Sequence, residues 1–189
     1  MLAYNELKPG TFIIVDGQPQ EVLIFEFLRM QQRKPVSKTK LRNLITGKVQ
    51  ERTFHQSDVI EEAKLEKMNS RFLYENREVY WFDEIGNPKN RFSFKAEELG
   101  EIGVFLKANL EIVALKFEDK IINIELPVKV DYKVIEAPPA IKGDTAQGGT
   151  KVVVIEGGAK VSAPLFINEG DIIRINTQTG QYVERIEKG

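Results

Sequence analysis

Thr11-Phe12-Ile13-Ile14-Val15-Asp16-Gly17-Gln18-Pro19-Gln20-Glu21-Val22-Leu23-Ile24-Phe25 sets two runs of β-branched, aliphatic and aromatic residues on either side of Asp16-Gly17. Such runs favour the pleated strand. Asp-Gly tolerates the positive φ that a two-residue hairpin turn demands, so the stretch predicts a β-hairpin.

The same habit repeats outward along the chain. Phe72-Leu-Tyr and Val79-Tyr-Trp-Phe flank Glu75-Asn-Arg-Glu; Glu111-Ile-Val-Ala-Leu-Lys-Phe and Ile121-Ile-Asn-Ile-Glu-Leu flank Glu118-Asp119-Lys120. Lys151-Val-Val-Val-Ile and Lys160-Val-Ser-Ala enclose Gly157-Gly158, and Asp171-Ile-Ile-Arg-Ile and Tyr182-Val-Glu-Arg-Ile enclose Thr179-Gly180. Many short strands at this spacing predict an all-β chain of small barrels. Two segments have helical character, Asp58–Met68, which is ambiguous, and Phe94–Gly100, a turn or two ended by Gly100. Boundaries near Ala63 and near Pro127-Val128 divide the 189 residues into 1–63, 64–127 and 128–189. The Pro- and Gly-rich segment from Glu136 to Thr150 cannot continue a sheet ladder and reads as a long loop.

With 42% hydrophobic and 29% charged residues the chain can bury a core and keep a solvated surface. It has no cysteine, which excludes disulfides, thiolate catalysis and zinc sites with sulfur ligands. The first residues lack the features of a secretory leader, and no apolar run reaches the length of a membrane span. A cytoplasmic, monomeric protein without a membrane partner is expected.

Searching for chemistry excludes more than it finds. His55 is the single histidine and reads as structural. Gly143-Asp-Thr-Ala-Gln-Gly-Gly-Thr-Lys lacks the Lys-Ser/Thr that a phosphate-binding loop requires. The neighbouring carboxylates Glu61-Glu62, Asp83-Glu84 and Glu97-Glu98 read as solvated faces. No catalytic residue, metal ligand or cofactor is expected, and the chain is read as no enzyme.

Charge is the informative feature. The formal net charge is −1, yet Arg29, Arg33, Lys34, Lys38, Lys40, Arg42, Lys48 and Arg52 crowd into one segment against Glu51 alone. The loop Arg29-Met30-Gln31-Gln32-Arg33-Lys34 lies between two expected strands, where cations meet phosphates and amides meet bases. Strand alternation then places Lys38, Lys40 and Arg42 on one face.

At this point the chain resembles bacterial translation elongation factor P over essentially its whole length. Asp16-Gly17-Gln18-Pro19 is similar to the family's first hairpin, and Thr39-Lys-Leu-Arg-Asn-Leu with Thr46-Gly47 to the strand and turn after its tip loop. Glu136-Ala-Pro-Pro-Ala-Ile-Lys-Gly-Asp-Thr-Ala, Pro164-Leu-Phe-Ile with Gly170, and Thr179-Gly-Gln-Tyr-Val-Glu-Arg resemble its third-domain signatures. The resemblance implies a KOW-like N-terminal barrel followed by two OB-like barrels in an L-shaped arrangement. It further implies a factor that binds both ribosomal subunits beside P-site peptidyl-tRNA and promotes peptide-bond formation at consecutive prolines. On that likeness the tip loop reaches the tRNA acceptor end, with Lys38, Lys40 and Arg42 on RNA backbone. Gly143, Asp144 and Thr145 approach mRNA in the exit site, and Tyr182 and Arg185 make third-domain RNA contacts.

The tip departs from the family, which usually carries Pro-Gly-Lys-Gly, or Arg for the Lys, with that cation often modified. Ungapped counts from both flanks place the tip at Gln32. Either an unmodified Gln32, helped by Arg33, contacts the tRNA end, which is the favoured reading, or a shift of the loop presents Arg33. The altered tip also motivates an alternative: a diverged paralogue that binds ribosomes or structured RNA without proline-specific rescue.

Overall fold

The computed structural model of the protein describes residues 1–29, 34–139 and 149–189. The all-β reading holds, with three five-stranded sheets where three small barrels were expected. The first contains β1 (Phe12–Val15), β2 (Gln18–Leu28), β3 (Val36–Asn43), β4 (Val49–His55) and β5 (Glu61–Glu62), in the order β4-β3-β2-β1-β5. The second contains β6 (Glu66–Asn76), β7 (Val79–Glu84), β8 (Asn87–Lys95), β9 (Glu111–Phe117) and β10 (Lys120–Glu125), in the order β10-β9-β6-β7-β8. The third contains β11 (Lys129–Glu136), β12 (Thr150–Ile155), β13 (Lys160–Pro164), β14 (Ile172–Asn176) and β15 (Gln181–Glu187), in the order β13-β12-β11-β14-β15.

The expected hairpins form, and their turns show why. Asp16 and Gly17 adopt φ of 53° and 75°, the doubly positive geometry whose twist matches the flanking strands. The turn expected over Glu75–Glu78 is tighter than the sequence suggests: only Arg77 and Glu78 leave the ladder, at φ of 51° and 62°. The Glu75 carboxylate stabilises it by accepting from the Glu78 amide at 2.7 Å.

Of the two helical segments, one forms. Helix α1 (Ala96–Leu99) runs into a 3-10 turn (Gly100–Phe105), and Gly100 at φ 55° ends the α-helical part. Asp58–Met68 is not helical. The Ile60 carbonyl accepts from the Leu2 amide at 2.8 Å, the Ala63 amide donates to Phe12 at 2.9 Å, and Glu61–Glu62 pairs with β1. These long-range pairings, which bury Ile60 and Ala63, hold the segment extended in place of a helix.

The chain packs as two compact units, Met1–Met68 with Ala114–Ile124, and Asn69–Val113 with Glu125–Gly189. In the first, Leu7, Ile13, Val15, Val22, Leu41, Phe54 and Ile60 form a closed core, with Leu2, Tyr4 and Phe25 against it. The second is filled by the Phe72–Phe82–Phe94 group and by Val130, Tyr132, Val134, Ile155, Ile173 and Ile175.

A polar knot lies within that second unit. The Tyr132 hydroxyl donates to the Phe105 carbonyl at 2.7 Å, and burial pushes the phenol well above its ordinary pKa. Lys107 lies over the same ring, 5.4 Å from its centroid, and its ammonium donates to the Asp131 carbonyl at 2.6 Å and to Glu156 at 3.0 Å. Gly157, at φ +94°, fits beneath Val104 and Leu106, where an added Cβ would meet two carbonyl oxygens at 2.8 Å. Gly158, at φ +92°, faces open space. Gly157→Ala is therefore expected to destabilise the protein by roughly 2–3 kcal/mol, combining strain with a carbonyl clash. Gly158→Ala should cost about 1 kcal/mol from backbone conformation alone. Denaturant unfolding of the pair measures the difference; equal costs contradict the close packing at Gly157.

Candidate nucleic-acid interface

The β2–β3 hairpin carries the predicted basic site. Its last pair is Leu28 with Val36, so Arg29 and Lys34, both exposed, emerge beyond the ladder. Met30, Gln31, Gln32 and Arg33, the rest of the expected tip, lie outside the described residues, as do Gly143, Asp144 and Thr145.

Along β3, Ser37, Thr39, Leu41 and Asn43 turn inward while Lys38, Lys40 and Arg42 are exposed on one face, as the two-residue period predicts. The register adds what the linear sequence hides. Lys38 stands opposite Glu26, Arg42 opposite Glu21 on β2, and Lys40 opposite Glu51 on β4. Arg42 and Glu21 form an ion pair. Each cation thus has one carboxylate across the ladder, so the face is compensated rather than uniformly positive. Exposed pairs of this kind contribute at most about 1 kcal/mol, so phosphates can displace the carboxylates. Arg52, also in the basic segment, lies 3.3 Å from Asp16 and 5.6 Å from the Phe54 ring centroid.

The third sheet holds the other two candidates. Tyr182 on β15 is half-buried opposite Ile175. Arg185 is engaged from two sides: it lies 5.0 Å from the Phe166 ring centroid and donates to Asp171 at 3.4 Å. Asp171 is fully buried and also accepts from the amides of Asn168 at 3.0 Å and Gly189 at 2.9 Å. Burial pushes its carboxyl up, but these two amides and Arg185 together hold it below the usual range. An RNA role for Arg185 must therefore coexist with a structural one.

His55 is exposed, and its backbone amide donates to Asp58 at 2.9 Å. Asp83 departs from the expectation of a solvated face: it is 2% exposed and accepts a two-pronged bond from Arg71 at 3.2 and 2.8 Å. Glu98 caps α1 through the Lys95 amide at 2.6 Å. Among the described residues no group of three or more His, Cys, Asp or Glu side chains is arranged to hold a metal ion. Nor is any helix among them long and apolar enough to cross a membrane.

Comparison with known proteins agrees at both ends of the chain. Residues 3–60 match the family model described as the elongation factor P KOW-like domain, and residues 130–185 match that of the elongation factor P C-terminal domain. The chain is similar to an elongation factor P of Carboxydothermus hydrogenoformans, 35% identical, covering 98% of this chain and all of the relative. It is similarly related to one of Moorella thermoacetica, 39% identical, with the same coverage. A solved eukaryotic translation initiation factor 5A from Methanococcus jannaschii is a weaker likeness, with TM-score 0.49 and 14% identity, covering 65% of this chain and 92% of that one.

The Asp171 cluster yields a signed prediction. A carboxyl held below its ordinary pKa contributes stability that is whole above the unfolded value, about 4, and is lost as pH falls through the folded value. Asp171→Asn should cost roughly 2–3 kcal/mol at neutral pH. It should also flatten the loss of stability below about pH 4, read by unfolding across pH. A variant as stable as the parent at neutral pH contradicts the clamp.

Proposed function

The chain belongs to the elongation factor P family of translation factors, and on that premise we propose that it binds the ribosome beside P-site peptidyl-tRNA and promotes peptide-bond formation at consecutive prolines. The observation that carries the reading is the β2–β3 hairpin. It presents Lys38, Lys40 and Arg42 on one face and leads directly into the loop bounded by Arg29 and Lys34. A paired hairpin is a stiff support, suited to delivering a short loop to the acceptor end of a tRNA.

Proline restricts the backbone and reacts poorly as an acceptor or donor. A factor that holds the peptidyl end in productive geometry lowers the barrier through orientation, while the ribosome supplies the chemistry. In this proposal the chain has three domains, 1–63, 64–127 and 128–189, and works in the cytoplasm as a monomer. Gln32 acts at the tip without modification, assisted by Arg33. Gly143, Asp144 and Thr145 approach mRNA in the exit site, and Tyr182 supports third-domain RNA contact with Arg185. Gln32 also favours one second reading, a family member that binds ribosomes without proline-specific rescue.

Translation of a polyproline message in a purified system lacking other rescue factors separates the two. The proposal expects a clear gain in read-through on adding the protein; no gain supports the second reading. Gln32→Ala and Arg33→Ala should each lower read-through by roughly ten-fold, the scale of a mispositioned reactant, with a smaller effect on ribosome binding. Equal losses contradict the positioning role. Intact-mass measurement of native protein should find no added group on Arg33 or Lys34; an adduct there overturns the unmodified tip.

A further inference from the structure

The central sheet has a second face that the proposed tip contact does not use. Phe72, Phe82 and Phe92 stand side by side across β6, β7 and β8, with neighbouring ring centroids 5.4 and 5.3 Å apart. Phe82 is fully buried, so residues alternating with it point to the opposite side. Three rows cross that side: Arg71, Asp83 and Arg91; Tyr74, Trp81 and Ser93; Asn76, Val79 and Lys95. An irregularity between Phe72 and Tyr74 brings Tyr74, rather than Leu73, opposite Trp81. The two rings stack with centroids 6.4 Å apart and planes 28° from parallel, and Tyr74 is 48% exposed.

Charge on this face is arranged to leave cations at the edge. Arg71 neutralises buried Asp83 through its two-pronged bond. Strand β8 then supplies exposed Arg91, Ser93 and Lys95 in alternate positions. Arg91 bonds to the Pro88 carbonyl at 3.3 Å, and Lys95 lies 3.6 Å from Glu97, an exposed pairing.

We propose that this face binds single-stranded RNA, with an unpaired base stacking on the Tyr74–Trp81 pair and Arg91 and Lys95 taking the flanking phosphates. Aromatic rings on an open sheet surface accept any base through its π-face, and a neighbouring row of cations tracks the backbone. Two plainer explanations cover only part of this. Cations on an edge strand also guard against edge-to-edge pairing, but that gives no reason for a stacked pair on the inner strands. A cross-strand aromatic pair stabilises a sheet, but that gives no reason for its exposure beside cations. Tyr, Trp and Arg also anchor protein interfaces, typically in desolvated pockets. Here Val79 is the single aliphatic residue among the nine positions, and hydrogen-bond donors surround the rings, which favours RNA.

Trp81 is the only tryptophan in the chain, so its fluorescence reports this face alone. The full-length protein is titrated with oligoadenylate and oligouridylate of about eight nucleotides. Saturable quenching is expected, stronger for adenine and weakened by salt. Tyr74→Ala should weaken it by roughly ten-fold, Arg91→Gln by several-fold, while Lys160→Ala, an exposed position on β13 of the third sheet, leaves it unchanged. Circular dichroism verifies that each variant folds, and exposed Arg91 supplies the decisive variant if Tyr74→Ala does not. No quenching at oligonucleotide concentrations on the order of 1 mM overturns the proposal. So does equal quenching by duplex RNA, unchanged affinity in both folded variants, or quenching by RNA-free ribosomal proteins alone. These outcomes are separate from polyproline read-through, so the proposed function and this inference can fail independently.

Discussion

Three two-residue turns hold both central residues at positive φ: Asp16-Gly17, Arg77-Glu78 and Glu118-Asp119. They tie the flanking strands into fixed register, and in a pleated sheet register decides which face every side chain meets. A slip of one residue between β6 and β7 would carry Phe82 out of the core and bring Asp83 into it. Bulges in several ladders then adjust the phase, those of β2 and β6 among them. In β2 the shift between Val22 and Ile24 keeps Val22 inward while presenting Glu26 opposite Lys38; in β6 the shift after Phe72 sets Tyr74 against Trp81. The outward faces follow from this geometry together with the buried partners that enforce it.

Local turn chemistry is what made the fold legible. Asp16-Gly17, Gly157-Gly158 and Thr179-Gly180 declare their hairpins without reference to anything distant, and the alternation through Lys38, Lys40 and Arg42 declares its own exposed face. Long-range pairing was not legible. The carboxylates of Glu21 and Glu26 reach the basic strand only through a register that depends on a bulge and a connecting loop. Asp83 looked like half of a solvated pair because its partner, Arg71, lies twelve residues away on another strand. The same limit hid the clamp of Asp171 on Arg185, and it left Asp58–Met68 ambiguous until Leu2 and β1 supplied its hydrogen-bond partners.

Balanced charge sets the physical character of the proposed hairpin interface. A strongly basic protein binds RNA anywhere; a chain of net charge −1 that offsets Lys38, Lys40 and Arg42 with three facing carboxylates cannot rely on bulk attraction. In the proposed function, binding comes from matched geometry, in which phosphates replace the carboxylates one for one. Under the proposed function, such a surface suits a factor that recognises one stalled complex among abundant RNA and then leaves it.

The central claim is that the β2–β3 hairpin delivers its loop to the acceptor end of P-site tRNA. It is tested most directly by a cryo-electron microscopy reconstruction of the full-length protein on a ribosome stalled at consecutive prolines. The account predicts density for the protein beside the P-site tRNA, with the segment between Arg29 and Lys34 against the terminal nucleotides of that tRNA. A bound protein with this segment directed away from the acceptor end, or one occupying a site remote from the tRNA, would contradict it.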